Sequence, residues 1–408
     1  MQEPKRTRVA IYFRMFSPYI LARINAAADR LDVVGIEGSR RSAVYAWEPR
    51  EGEERFDRQT LFVNGAIEDK ASAEIVAATI AALDAADPDV VCVTGWSHSE
   101  ALAMLGWACK HRRRVIILSE STAHDSARVG WREQIKRQIV QLGDAALVGG
   151  KPQTEYIAAL GMPRDRVFLG YDAVDNAFFA RGADLARADA AATRAALELP
   201  ERYFLVSCRF IEKKNLARLI DAFAAYRRLA DEAAWDLVLL GDGELRPALE
   251  QQVQRLGLGD AVHFKGFQQY DALPSYYGLA GGFVHVSVVE QWGLVVNEAM
   301  AAGLPVIVSQ PCGCVEDLVE DGVNGWVVDP LDTAEITARL ASLSAAGTDR
   351  AAMAERSRAI VANYGPDRFG DGLVRAIDAA NRNAPRRAGV FARWLLRKLA
   401  ARNTRDGS

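Results

Sequence analysis

The sequence predicts an α/β protein built from two doubly wound, Rossmann-like domains. Three observations carry this: short β-branched runs alternate with helical stretches in both halves, an Ala- and Arg-rich break separates the two series, and the chain has 408 residues with 50% hydrophobic content. Alternation of this kind builds a parallel sheet wrapped by helices. Single cores usually stop growing near ~250–300 residues, so a chain of this length divides.

The first series reads RVAIYF (8–13), DVVGIEG (32–38), DVVCVTG (89–95), RVIILSE (114–120) and AALVGG (145–150) as strands. Between them, ASAEIVAATIAALDA (71–85) and SEALAMLGWACKH (99–111) carry helical patterning. ARGADLARADAAATRAALELP (180–200) has no strand character and is expected to link the halves. The second series runs YFLVSCRF (203–210), WDLVLLG (235–241), AVHFKGF (261–267), FVHVSV (283–288), PVIVS (305–309) and GWVVDP (325–330). LVVNEAMAA (294–302) suits a short helix, stopped by Gly303 with Pro305 two residues on. The expected domains are 1–180 and 181–366, followed by a closing helix over 367–384 and a basic amphipathic tail over 385–408.

A net charge of −3 and a pI near 6.1 give no whole-molecule attraction to nucleic acid. Five scattered cysteines (Cys92, Cys109, Cys208, Cys312, Cys314) suit reduced thiols rather than a disulfide framework. Cys312-Gly313-Cys314 lacks the further ligands of a tetrahedral metal site. MQEPKRTRVAIYF has no apolar signal-peptide core, and no window reaches the ~18 apolar residues of a membrane span. The expected setting is the cytoplasm, with the protein soluble or peripheral on the inner face of the membrane.

Chemistry concentrates in EQWGLVVNEAMAAGLPVIVS (290–309). Glu290 falls on the loop leaving one strand, and Glu298 falls about one turn into the following helix. Ligands of open α/β sheets bind at the carboxyl ends of strands. The amides of Gly293, Leu294 and Val295 have no partners inside the helix and suit an anion such as a diphosphate. Carboxylates repel that anion, so each glutamate is expected to face hydroxyl groups. A phosphate flanked by two polyols describes a nucleotide sugar.

Three further clusters lie at strand ends of the second half. SCRFIEKKNLARLIDAF (207–223) brings Arg209, Lys213 and Lys214 to the end of its first strand, either as phosphate cations or as a solvated turn. LVLLGDGELRPALEQ (237–251) offers Gly241 and Gly243 without the third glycine of a dinucleotide fingerprint. VHFKGF (262–267) ends at Lys265 and Gly266, which either edge a planar base or form a simple turn.

Together these pieces resemble the large family 4 of retaining glycosyltransferases, the "glycosyl transferases group 1" with the GT-B fold. The resemblance is strongest over about 203–330, where RFIEKKN, GDGEL, EQWGLVVNEAMAAGLPVIVS and CGCVEDLVEDGVNGWVVDP follow the family order. It implies two Rossmann-like domains facing across a cleft, the first on the acceptor side and the second on the donor side. It implies further that Glu298 holds the ribose, that Arg209 with Lys214 or Lys213 holds the diphosphate, and that Glu290 grips the donor sugar beside the amides near Trp292, Gly293 and Leu294. Gly241, Lys265 and Gly266 would flank the base. Asn215 stands where the family often has glycine.

The first half resembles the family less. RMFSPYILARI (14–24) replaces a Gly-Gly pair, with Ser17 as the substitute, and LSESTAHDSAR (118–128) offers Glu120 and His124. His124 resembles a cleft histidine of the family, and His98 is a second candidate; each is otherwise a hydrogen-bonded loop residue. The implied reaction is hexosyl transfer with retention, by front-face attack, without a cofactor or metal because Arg and Lys neutralise the diphosphate. A sugar-nucleotide epimerase of the same fold and an inactive nucleotide-sugar binding protein are the alternatives. In the tail, Arg386, Arg387, Arg393, Arg397, Lys398 and Arg402 accompany a stripe of Val390, Phe391, Trp394, Leu395 and Leu399, which suits either an anionic membrane surface near a lipid-linked acceptor or a packed terminal helix.

Overall fold

The computed structural model describes residues 6–42, 46–125, 128–382, 396 and 398–400. The chain divides into two compact units, Met1–Ala173 with Pro366–Ser408, and Val174–Gly365.

The first unit holds a parallel sheet of seven strands: β1 (Arg8–Phe13), β2 (Asp32–Arg41), β3 (Asp57–Ala66), β4 (Val90–Thr94), β5 (Arg114–Ser119), β6 (Ala145–Val148) and β7 (Val167–Leu169). Their order is β3-β2-β1-β4-β5-β6-β7, so the winding reverses between β1 and β4. Alternate residues feed opposite faces, as strand geometry requires. Ala10, Tyr12, Val91, Val93 and Ile117 enter one core, whereas Val9, Ile11, Cys92, Ile116 and Leu118 enter the other. Because both faces are covered, the central strands read as continuous apolar runs. The edge strands β3 and β7 are half-buried or exposed, and the hydrophobic pattern did not mark them.

The second unit holds six parallel strands: β8 (Tyr203–Ser207), β9 (Asp236–Leu240), β10 (Val262–Gly266), β11 (Gly282–His285), β12 (Val306–Ser309) and β13 (Gly325–Val328). Their order is β10-β9-β8-β11-β12-β13, reversing between β8 and β11. Phe204, Val206, Leu237, Leu239, Val284 and Ile307 pack on one side against helices Leu216–Ala230 and Thr333–Ser344.

Two expectations about boundaries are revised. The segment 180–200 is no linker. The chain passes into the second unit after Ala173, and helices Asn176–Ala188 and Ala190–Leu197 belong to that unit. The first of them is capped by the Asp175 carboxylate, which accepts from the Phe178 amide at 2.9 Å, and it stacks Phe178 on Tyr270. Its Ala and Arg content reflects good helix formers, which the absence of strand patterning alone could not separate from a linker. The closing helix, Pro366–Asn381, returns to the first unit, where Phe369, Leu373, Ala376, Ile377 and Ala380 complete a core.

Most of the tail lies outside the described residues. Of its apolar stripe, Leu399 is described, and with Leu396 and Ala400 it packs against the first unit's core. That end of the tail therefore behaves as a packed terminal segment.

Gly241 shows how tightly two loops of the second unit cross. Its φ is +121°, and a Cβ there would stand 1.8 Å from the Cys208 carbonyl oxygen. Gly266 also has positive φ, +71°, but its nearest contact is an arginine tip at 3.8 Å. Gly241→Ala is expected to cost about 3 kcal/mol of stability and Gly266→Ala about 1 kcal/mol, measured by denaturant unfolding. Equal losses would contradict the loop crossing.

Candidate functional site

The second sheet reverses its winding between β8 and β11, and in open α/β sheets the loops at such a reversal are where ligands bind. After β8 the chain passes through Cys208, Arg209 and Phe210 beneath the Gly241-Asp242-Gly243 turn. Phe210 N donates to the Asp242 carbonyl at 2.8 Å, and Leu245 N to the Phe210 carbonyl at 3.0 Å. A Cβ on Gly243 would meet the Phe210 carbonyl oxygen at 2.6 Å. The two glycines thus serve loop packing, and Gly241 N spends its hydrogen bond on the Gly266 carbonyl at 2.8 Å.

A single turn, Glu212–Lys214, then delivers the lysines. Asn215 follows with φ +59°, a left-handed conformation that asparagine tolerates better than most residues. Its amide also donates to the Val286 carbonyl at 3.1 Å and the Pro330 carbonyl at 2.7 Å. Asparagine in place of glycine therefore keeps the turn and adds a tie to the loop after β11. Val288 N donating to the Lys213 carbonyl at 2.9 Å ties the same loops again.

These ties bring the Lys214 ammonium onto Glu290 Oε2. The two side chains are only 12% and 15% exposed. Burial alone would raise the Glu290 pKa, but the hydrogen bond from His285 and the charge of Lys214 outweigh it and hold the carboxylate well below its ordinary range. Burial likewise works against the Lys214 cation, and Glu290 more than offsets it, so the lysine titrates above its usual value. Burial pushes the nearby Cys208 thiol up to about 12, which leaves it uncharged. Of the two lysines that the sequence left open, Lys214 is the one that meets Glu290.

His285, on β11, was not anticipated. Its Nε2 lies 3.1 Å from Glu290 Oε2 and 3.2 Å from Ser287 Oγ. The sequence signal was a lone histidine in an otherwise apolar strand. The Glu290 loop is backed by the segment after β12, where Gly313 N donates to the Glu290 carbonyl at 3.0 Å and Cys314 N to the Trp292 carbonyl at 3.2 Å. Cys312 and Cys314 are buried parts of that backing.

Gly293, at φ +101°, opens helix Leu294–Ala301, whose first bond runs from Val296 N to the Gly293 carbonyl at 2.9 Å. The amides of Gly293, Leu294 and Val295 precede that bond and form the positive end of the helix. Trp292 is only 1% exposed, and its indole donates to Asn297 Oδ1 at 2.9 Å. Its side chain is a core element, so what it can offer a ligand is main chain. Glu298 is also 1% exposed, and its Oε2 accepts from the Tyr277 hydroxyl at 2.7 Å. Burial and then the Glu298 charge raise the Tyr277 phenol well above its ordinary value, so it stays a donor. Arg209 sits half-buried just beyond β8. The Lys265 ammonium donates to the Glu198 carbonyl at 2.8 Å, and the Gly266 carbonyl accepts from Gly241 N.

The first unit has a comparable cluster at its own reversal point. Arg14, just beyond β1, reaches His98 Nδ1 and Glu100 Oε1, each at 3.0 Å, from the start of the helix after β4. Burial lowers the His98 pKa, favouring the neutral ring. Arg14 and Glu100 were not anticipated. Ser17 precedes helix Pro18–Ala28 without a side-chain cap bond. Glu120 follows β5, and its charge contributes, after burial, to raising the buried Asp172 carboxyl well above its ordinary value. His124 lies in the loop after β5, its amide donating to Thr122 Oγ1 at 3.2 Å.

The family model described as glycosyl transferases group 1 matches residues 190–360. A D-inositol 3-phosphate glycosyltransferase of Salinispora arenicola is 32% identical over 302 residues, covering 68% of this chain and 66% of that protein. An alpha-D-kanosaminyltransferase of Streptomyces kanamyceticus is 33% identical over 195 residues, which is 46% of this chain; the match spans about half, 49%, of that relative's length. Among solved structures, the Anabaena HepE protein in complex with UDP superposes with a TM-score of 0.69 at 16% identity, covering 91% of this chain and 100% of that one. The two parallel sheets of seven and six strands thus form the GT-B fold.

The Lys214–Glu290 pair makes a prediction about stability. Because the Glu290 pKa is depressed on folding, its contribution is complete above the unfolded carboxylate value of about 4.3 and fades as pH falls through the lower folded value. The raised Lys214 pKa places its loss above about pH 10.5. Lys214→Ala strands a buried carboxylate and is expected to cost about 3 kcal/mol at pH 7, whereas Lys214→Met combined with Glu290→Gln recovers at least half of that loss. Denaturant unfolding at pH 7 checks this; a double variant less stable than the single one would contradict the coupling.

Proposed function

The chain belongs to the glycosyl transferases group 1 family through residues 190–360, and on that premise we propose that it moves a sugar from a nucleotide-sugar donor to a glycan or lipid-linked acceptor. The proposed setting is cell-surface or extracellular polysaccharide synthesis, with the anomeric configuration retained. The observation that carries the reading is the buried carboxylate of Glu290, kept ionised by His285 and Lys214 at the reversal point of the second sheet.

In this reading the bond between the anomeric carbon and the diphosphate breaks with its electron pair going to the phosphate oxygen. Arg209, the Lys213–Lys214 turn and the amides of Gly293, Leu294 and Val295 meet that developing charge. Lys214 has three donors, so it can keep Glu290 and still reach a phosphate oxygen. Glu290 grips hydroxyls of the sugar as it gains oxocarbenium character, and Glu298 takes the ribose. An acceptor hydroxyl attacks from the face the diphosphate leaves, and its proton passes to the departing phosphate. His124 is assigned with Glu290 to catalysis, Ser17 to the donor phosphate, and His98 and Glu120 to the first unit's ligand-facing loops. No metal is needed, since protein cations and helix amides supply the positive charge.

Incubation with UDP-, GDP- and ADP-sugars, with and without EDTA, tests the proposal by product analysis. UDP-glucose is the natural first donor, because the Anabaena protein of this fold was also solved with it. Release of nucleoside diphosphate with transfer of an α-linked sugar from an α-linked donor, unaffected by EDTA, is the expected result. Donor converted to an isomeric sugar nucleotide would make it an epimerase. Binding without turnover of any donor would make it a binding protein.

The proposed location is the cytoplasmic face of a membrane. The five cysteines form no disulfide, which fits a reducing compartment, and no helix of the described residues is long and apolar enough to cross a bilayer. Since Leu396, Leu399 and Ala400 are engaged with the first unit's core, docking falls to the part of the tail around Arg386, Arg387, Arg393 and Trp394. Replacing the three arginines by glutamine is expected to abolish sedimentation with phosphatidylserine-containing liposomes while UDP binding stays unchanged. Undiminished sedimentation would remove the tail from the proposal.

A further inference from the structure

Every contact the structure gives the Glu290 carboxylate falls on one oxygen. Oε2 takes the Lys214 ammonium, His285 Nε2 at 3.1 Å and, more weakly, Ser287 Oγ at 3.5 Å. Among the described residues Oε1 takes none. A carboxylate held at one oxygen by donors from two separate segments cannot rotate freely, and its second oxygen becomes a fixed acceptor. The anchoring charge comes from the turn after β8, and the neutral anchors come from the last residue of β11 and from Ser287, two residues past it.

We propose that His285 is a positioning residue, which donates Nε2–H to Glu290 Oε2 and thereby presents Oε1 to a hydroxyl of the donor sugar. This rests on the role given to Glu290 above. The tautomer follows from the acceptor: an ionised carboxylate only accepts, so the proton sits on Nε2 and Nδ1 is bare. His285 is 2% exposed and faces two charges, Glu290 and Lys214, with the Phe283 ring stacked along its strand. Burial first, and then the neighbouring lysine, lower its pKa despite the glutamate, so the ring is neutral near pH 7. A neutral donor serves better here than a second cation. It orients the carboxylate without drawing off the negative charge that a sugar gaining oxocarbenium character needs.

An aliphatic side chain at this strand position would suffice for packing, and the test turns on that difference. His285→Leu keeps the bulk and loses the donor; His285→Gln keeps an N–H at similar reach. The expected result with UDP-glucose, or with GDP-mannose if that is the donor consumed, is a 10- to 100-fold fall in kcat for His285→Leu, with recovery to within about fivefold of the parent for His285→Gln. UDP affinity by calorimetry should stay within about threefold in both, because UDP lacks the transferred sugar that Oε1 meets. Leu and Gln variants that are equally slow, or a Leu variant as fast as the parent, would overturn the proposal.

A second measurement does not depend on variants folding or on a donor being found. Long-range 1H–15N correlation of the parent protein at pH 7.5 should show His285 protonated at Nε2 and bare at Nδ1. The opposite tautomer would overturn the proposed hydrogen bond. A parent that shows the Nε2–H tautomer but consumes no sugar nucleotide would leave that bond intact and sink the transferase reading, together with the sugar-presenting role that rests on it.

Discussion

The ion pair between Lys214 and Glu290 is the constraint around which the second unit is arranged. Two charges with little solvent access are tolerable only if they meet each other with good geometry and further hydrogen bonds. The surrounding chain supplies this. Val288 N on the Lys213 carbonyl and the Asn215 amide on the Val286 carbonyl fix the distance between the loops that carry the two charges. Gly313 N and Cys314 N fix the Glu290 loop from behind. Even the Gly241-Asp242-Gly243 turn takes part, since it is packed over the exit from β8 and so sets where the lysine turn begins.

The fold was legible because its buried strands declare themselves. A parallel strand covered on both faces must be apolar throughout, so β1, β4, β5, β8, β9 and β12 stood out as uninterrupted runs. Edge strands β3 and β7 lack that double burial and carried no such mark. The crossing point was misplaced for a related reason. Asn176–Ala188 is helical with one apolar face, and nothing in an Ala- and Arg-rich stretch says which core that face will join.

The candidate site was legible to the extent that its chemistry is local in sequence. Glu290, Glu298, Arg209 and the lysines sit in compact motifs at strand ends. What the motifs could not give is who touches whom. Lys213 and Lys214 are adjacent in the chain, and only the turn geometry selects Lys214 for Glu290. Trp292 was placed in the motif for its main chain, and what the motif did not show is that its ring packs inside. His285 was read as part of FVHVSV because an alternating run hides a polar residue whose partner lies five positions on. Arg14 was hidden differently, since its partners His98 and Glu100 come from another strand end.

The two units solve one problem in different ways. Each sheet reverses its winding beside its first strand, and each sets a cation from the loop after that strand against a carboxylate from the far side of the reversal. In the first unit the cation is Arg14, the carboxylate Glu100 is buried, and the guanidinium remains about 29% exposed. In the second unit both partners are mostly covered, and the carboxylate is the one with an oxygen to spare. A guanidinium with outward donors suits an acceptor oxygen, whereas a carboxylate with a fixed free oxygen suits a donor hydroxyl. In the proposed function the sheet topology therefore sets where a ligand lies in each unit, and the choice of which partner is left accessible sets which hydrogen-bonding polarity that ligand meets.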